Sequence, residues 1–410
     1  MRRTLAWALA AGLVATVEGC ATDAPNAPTG EVVDSAGMRI VTYDLTNAQP
    51  RTWRIVGEHD LEIGVRDGAP EYAFSRIPDL AVTDEGPIVV SDGAAGELRV
   101  YDASGVYRRT LGRQGEGPGE FAVAPVIVGL GGDTVFAFDG RNRRLTSLTT
   151  AGDVLEMVTL RSATVVGPSI MARQDDGTYL AQSPWVNPRT ADELYEMRLD
   201  LDSIVIEHLD ARGVLLDTVL VVADRNRARR VRQREDGTFS TIQAQPPFVA
   251  QAFVRSDGVR PVVARSDALE LRLLGRPGES DLVIRVVGAD HPATADDIRR
   301  RQEAAVREAA GGDEIDPMTW MLNVEFVPDR LPAFQDIVVS DEGDAWVALM
   351  EYDASEGYDW LVFSPAGELR GVVHTPPTLR LFEVRSDFIV GVVLDEFDVP
   401  FVRRYPLLFP

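Results

Sequence analysis

Leu111-Gly112-Arg113-Gln114-Gly115-Glu116-Gly117-Pro118-Gly119-Glu120-Phe121 places four glycines and a proline between two runs of short apolar segments. Upstream, Asp79–Thr83, Pro87–Ser91, Glu97–Tyr101 and Val106–Leu111 are strand-like, and Asp84-Glu85-Gly86 and Ala103-Ser104-Gly105 supply turn residues between them. Together they read as one four-stranded meander. A phosphate-cradling glycine loop would open a helix, whereas Phe121-Ala122-Val123-Ala124-Pro125 runs on into another strand. The glycines are therefore assigned to turns with positive φ and close backbone approach, and the stretch becomes a joint between two copies of one unit.

The unit recurs along the chain. Gly131-Gly132-Asp133 and Ala151-Gly152-Asp153 mark the second copy, Asp175-Asp176-Gly177 and Ala211-Arg212-Gly213 the third, and Ser256-Asp257-Gly258 and Arg276-Pro277-Gly278 the fourth. Asp341-Glu342-Gly343 and Pro365-Ala366-Gly367 mark the fifth. The paired glycines lie about 20 residues apart in three of these five units, and insertions stretch the third and fifth. A sixth unit, Leu381–Arg385, Phe388–Val393 and Phe401–Leu407, has only three strands. A closed ring repairs that deficit by borrowing a strand from the other end of the chain, and early strands near Trp53–Val56 and Leu61–Val65 are available. The expected fold is all-β: a six-bladed β-propeller of four-stranded antiparallel meanders, its last blade closed by N- and C-terminal strands. An array of β-sandwiches is the alternative reading of the same pattern.

Two segments interrupt the repeats. Thr294 as cap, with Asp297 three residues on, predicts a short surface helix near 294–310, stopped by Gly311-Gly312. Its apolar stripe is read as Ile298, Ala305 and Ala309, and it is expected on the propeller surface. Asp224 to Arg234 holds six Arg and reads as a solvated loop, with docking of an anionic partner as the other reading.

At the N-terminus, Met1-Arg2-Arg3 followed by the apolar run Leu5–Val17 has the form of an export signal, too short for a permanent bilayer anchor. Val17-Glu18-Gly19-Cys20 resembles a bacterial lipobox, in which the Cys is lipidated and becomes the mature N-terminus; Glu18 departs from the small residue usual there. The bland alternative is an ordinary secretory signal. The division is thus 1–20 signal peptide with lipobox and Cys20 as lipid attachment, 21–30 a flexible tether with Pro25 and Pro28, and 31–410 the propeller. Ala21 stands where an Asp would be the inner-membrane retention cue, so the resemblance implies an outer-membrane lipoprotein.

Gly112, Gly115, Gly117, Pro118, Gly119 and Phe121 match the Gly-x-x-Gly-x-Gly-Pro-Gly-x-Phe joint of NHL-type propeller repeats. Roughly residues 50–410 resemble the six-bladed β-propeller lipoproteins of bacteria. That resemblance implies a propeller fold and an envelope location.

The bulk chemistry narrows function further. The formal charge of −23 repels a phosphate backbone, which argues against nucleic acid as a partner. All 41 basic residues are Arg, so Schiff-base chemistry on lysine is excluded. A single Cys rules out an internal disulfide and a multi-cysteine zinc site, and the four His (His59, His208, His291, His374) are dispersed. They read as surface or hydrogen-bonded residues. The acidic turn pairs Asp84-Glu85, Asp175-Asp176 and Asp341-Glu342 belong to separate units, so they read as turn chemistry rather than a calcium loop; channel calcium held by several blades stays open. Trp346 and Trp360 with Tyr352 and Tyr358 could form an aromatic contact patch, although Trp346 fits the core between blades. No Gly-x-Ser-x-Gly elbow is present, and no catalytic, cofactor or metal residue is assigned. The expected function is a monomeric, membrane-tethered binding or protein-interaction module for an envelope protein or extracytoplasmic ligand. A metal-assisted lactone or ester hydrolase, or a lyase, using the channel is the alternative.

Overall fold

The turn glycines do what their spacing predicts: Gly86, Gly105, Gly132, Gly152, Gly177, Gly213, Gly258, Gly278, Gly343 and Gly367 all have positive φ. The computed structural model describes residues 29–408, apart from 161–167, 186–197, 234–236, 289–293, 310–327 and positions 36, 48, 49, 56, 245, 247, 277, 329, 352–354 and 356. The early strands are β1 (Glu31–Ser35), β2 (Met38–Asp44), β3 (Thr52–Ile55) and β4 (Leu61–Ile63). The first blade then follows as β5 (Asp79–Val82), β6 (Ile88–Asp92), β7 (Glu97–Tyr101) and β8 (Tyr107–Leu111). The second is β9 (Val126–Gly131), β10 (Thr134–Asp139), β11 (Arg144–Thr149) and β12 (Val154–Thr159). The third holds five strands: β13 (Ser169–Arg173), β14 (Tyr179–Trp185), β15 (Arg198–Leu209), β16 (Leu215–Gln233) and β17 (Phe239–Ala244). The fourth is β18 (Ala252–Ser256), β19 (Pro261–Arg265), β20 (Glu270–Leu273) and β21 (Leu282–Val287), followed by helix α1 (Ala295–Ala309). The fifth is β22 (Phe334–Val339), β23 (Ala345–Leu349), β24 (Tyr358–Phe363) and β25 (Leu369–Thr375), and the sixth is β26 (Leu379–Val384), β27 (Phe388–Leu394) and β28 (Pro400–Leu408).

The first strand of each blade touches the first strand of the next, in the closed order β5, β9, β13, β18, β22, β26 and back to β5. Six apolar clusters occupy the six seams. Val89, Leu98 and Leu111 meet Phe121, Val135 and Leu148 between the first and second blades, and Trp346, Trp360 and Val362 meet Leu379, Ile389 and Val393 between the fifth and sixth. The remaining seams are filled in the same way. Each sheet thus buries both faces against neighbours, which is why its central strands read as near-continuous apolar runs.

Closure follows the expected logic with one change of strand. The sixth blade is completed by β4, antiparallel to β28 with Ile63 opposite Val402. Trp53 and its neighbours in β3 do not enter that blade; β3 runs parallel to the outer strand β25 of the fifth, with Trp53 opposite Val373, and touches only the end of β28. Earlier still, β2 lies parallel to β21 on the outside of the fourth blade, and β1 covers β2. Residues 31–55 therefore form an outer belt over two blades before the chain enters the ring.

One other expectation is corrected and one is met in part. The Arg-rich run from Asp224 is not a loop through Gln233: it continues β16, paired with β15 through Arg198–Arg229 and with β17 through Ala228–Ala244. Backbone pairing on both sides overrides the weak strand propensity of so polar a sequence. Helix α1 starts as predicted, with the Thr294 hydroxyl accepting from the Asp297 amide at 3.3 Å and the Asp297 carboxylate accepting from the Thr294 amide at 3.0 Å. Among its described side chains the expected Ile298 is buried, together with Gln302 and Val306, spaced four apart. The side chains of Ala305 and Ala309 lie outside the described residues, as do Gly311 and Gly312.

Candidate functional site

The joint that organises the sequence is structural. Gly112, at φ 71°, lies so close to Phe121 that an added Cβ would meet the ring at 2.5 Å, and Phe121 is fully buried in the first seam. The Gly115 amide donates to the Phe121 carbonyl at 3.0 Å, and the Phe121 amide to the Arg113 carbonyl at 2.9 Å. Arg144 of β11 donates to the carbonyls of Glu116 and Glu120 from the next blade. These bonds hold the loop around the ring, which gives its glycines a structural role.

Around the channel, polar side chains tie neighbouring inner strands together. Asp79 at the start of β5 accepts from its neighbour Leu80 and, at 2.7 Å, from the Ile127 amide at the start of β9. Burial pushes its carboxyl up to about 7, against the backbone hydrogen bonds and the more distant Arg380 and Arg255. Asp336 of β22 accepts from Arg255 of β18 at 3.1 Å, while the same guanidinium donates to the Ile337 carbonyl at 2.9 Å. Arg385, just beyond β26, reaches three blades. It donates to the Val82 carbonyl and stands 3.3 Å from Asp341, 3.5 Å from Asp84 and 3.7 Å from Glu383. Burial raises the Glu383 carboxyl to about 7.

The acidic turn pairs thus have distinct fates. Asp84 and Asp341 converge on Arg385, Asp175 pairs with Arg276 at 2.9 Å, and Asp176 accepts from the amide and hydroxyl of Thr178. Among the described residues there is no group of three or more His, Cys, Asp or Glu placed to hold a metal ion. His59, His208 and His374 are bonded at the surface to Glu62, to Thr178 and Asp217, and to Asp359 respectively; His291 lies outside the described residues.

A groove of about 320 Å³ lies where the fifth and sixth blades meet. Gln335 and Asp336 on β22 form one wall, Arg380 and Leu381 on β26 the other, with Thr378 in the turn before β26 and Tyr358 of β24 at the outer end. Trp360 contributes ring surface from behind; it is buried and its indole nitrogen donates to the Thr375 hydroxyl at 3.0 Å. Of the aromatic residues singled out in the sequence, Trp346 is fully buried in the seam, Tyr358 and Trp360 meet at the groove, and Tyr352 lies outside the described residues. A smaller cavity of about 170 Å³ adjoins it across Gln335, lined by Phe248, Phe334 and Met350. Phe248 holds φ 61°, a costly conformation for an aromatic residue. Asp336, Arg380 and Gln335 carry no local sequence signal, because four strands and a turn between residues 335 and 381 bring them together only on folding.

No family model matches the sequence, and no curated protein is similar to it. Solved structures that resemble the fold include a member of the DUF4221 family from Bacteroides vulgatus, 8% identical, with 86% of this chain and 97% of that one covered and a TM-score of 0.48. Regucalcin of Agrobacterium tumefaciens, a calcium-binding protein, is 10% identical over 87% of this chain and 96% of its own, with a TM-score of 0.39. Virginiamycin B lyase of Staphylococcus aureus is 8% identical over 84% and 98%, also at 0.39. The ring of six meanders carries the β-propeller assignment by itself.

Proposed function

We propose that this protein is an extracytoplasmic, membrane-tethered propeller that binds a small ligand in the groove between its fifth and sixth blades. The groove itself carries the reading. It opens beside the channel, joins charged and aromatic side chains at one place, and falls within the about 300–1,000 Å³ typical of small-molecule sites. Asp79 and Asp341, by contrast, are engaged in holding blades together. The site's task on this reading is capture, without a bond-making step.

Attachment through a lipidated Cys20, with residues 21–30 as tether, holds the ring at the envelope surface as a monomer. Metabolic labelling with a radioactive fatty acid is expected to mark the protein and to be lost in Cys20→Ala; persistent labelling of that variant removes the anchor from the proposal. The binding reading is tested by extracting small molecules from the full-length protein purified out of membranes, and comparing them by mass spectrometry with the extract of Thr378→Trp. That substitution fills the groove from an exposed turn position. A compound present only in the wild type supports capture, and identical extracts overturn it. Elemental analysis of the same preparation is expected to find no stoichiometric divalent ion; one held in the channel would replace capture with metal-assisted hydrolysis or elimination.

A further inference from the structure

Resting on that binding reading, we infer that the ligand is a small cyclic or aromatic monocarboxylate, and that Arg380 receives its carboxylate. Arg380 is exposed at the groove wall, and among the described residues no carboxylate lies within ion-pair range of it. The two neighbouring guanidinium groups differ: Arg255 is spent on Asp336 and Arg385 on Asp341, Asp84 and Glu383. The Arg380 guanidinium lies over the Phe382 ring at 4.6 Å, a contact that fixes its plane while leaving its N–H edge free for a bidentate acceptor.

The rest of the groove sets the body of the ligand. Tyr358 presents a half-buried ring, and because the Trp360 nitrogen is engaged by Thr375, that side chain offers only carbon surface. A flat ring satisfies both. The hydroxyls of Tyr358 and Thr378 have no hydrogen-bond partner among the described residues, so they remain available to a polar substituent. Charge limits the anion: Asp336 shares the groove, and Arg255 already offsets it. With the buried Asp79 also within the field of Arg380, the balance leaves at most one positive charge to be met, which suits a monocarboxylate and disfavours a doubly charged phosphate.

The test uses the full-length protein and two matched probes, para-fluorobenzoate and the neutral para-fluorobenzyl alcohol, titrated by fluorine NMR. Wild type is expected to bind the carboxylate at least about tenfold more tightly than the alcohol. Arg380→Gln, at an exposed position, is expected to abolish that preference while keeping alcohol affinity and melting temperature, and Thr378→Trp to weaken both probes. Equal affinities in wild type, or a preference that survives Arg380→Gln, overturn the carboxylate assignment; if Thr378→Trp still weakens both probes, the groove remains the binding site. Binding of neither probe, or binding indifferent to Thr378→Trp, overturns the carboxylate assignment and counts against the groove as well.

Discussion

Gly112 concentrates the argument for the joint in one atom, because the Cβ it lacks is the space the Phe121 ring fills. Gly112→Ala adds both a ring clash and a strained φ, so it is expected to cost about 2–4 kcal/mol in chemical denaturation, where a surface glycine such as Gly132 would cost far less. Glu383 makes a different single-residue prediction. Its carboxyl is raised by burial from 4.5 to about 7, so the folded state binds more protons than the unfolded state within that interval. Stability therefore falls as pH rises from about 4.5 to 7 and levels off above it. Glu383→Gln removes this contribution, so its unfolding free energy relative to wild type is expected to improve by on the order of 2 kcal/mol between pH 4.5 and 8. A relative stability that stays flat or worsens across that range refutes the assignment. Asp79, raised for the same reason, keeps part of the pH dependence in both proteins.

At the level of elements, the belt and the closing strand separate two jobs that a reading of Trp53–Val65 as one resource merged. Removing residues up to 57 takes away β1–β3 and bares the edges of β21 and β25, yet leaves β4 on β28. Such a protein is expected to unfold cooperatively at a lower temperature and to aggregate; removing residues up to 66 is expected to abolish the cooperative near-UV transition. Equal behaviour of the two truncations would show that β4 is not the closing strand. The sequence made the meanders legible because each depends on local chemistry, a glycine with positive φ between two apolar runs, as at Gly86 and Gly105. It hid what depends on distant partners. The parallel pairing of β2 with β21 has no turn to announce it, and Arg225–Arg232 is a strand only because β15 and β17 flank it. For the same reason Tyr358 and Trp360 could be singled out as aromatic residues, while Asp336 and Arg380 looked like any other charges.

For the molecule as a whole, the sixth blade is where integrity is decided, and Arg385 spans it by touching the fifth, sixth and first blades at once. Arg385→Met leaves Asp341 and Glu383 without their cation in a mostly buried setting. The expected loss is about 2–3 kcal/mol, below the about 3–5 kcal/mol of a fully enclosed pair. Adding Glu383→Gln to that variant should restore part of the loss; strict additivity of the two changes would break the proposed coupling.

The pairing of Ile63 with Val402 also governs when the ring can exist. A growing chain can form its meanders one by one, but β4 has no partner until β28 has been made, so closure of the ring waits for that strand. Until then the polypeptide is a linear series of short hairpins with low barriers to being pulled apart. On the export route proposed above, such late locking would keep the chain threadable.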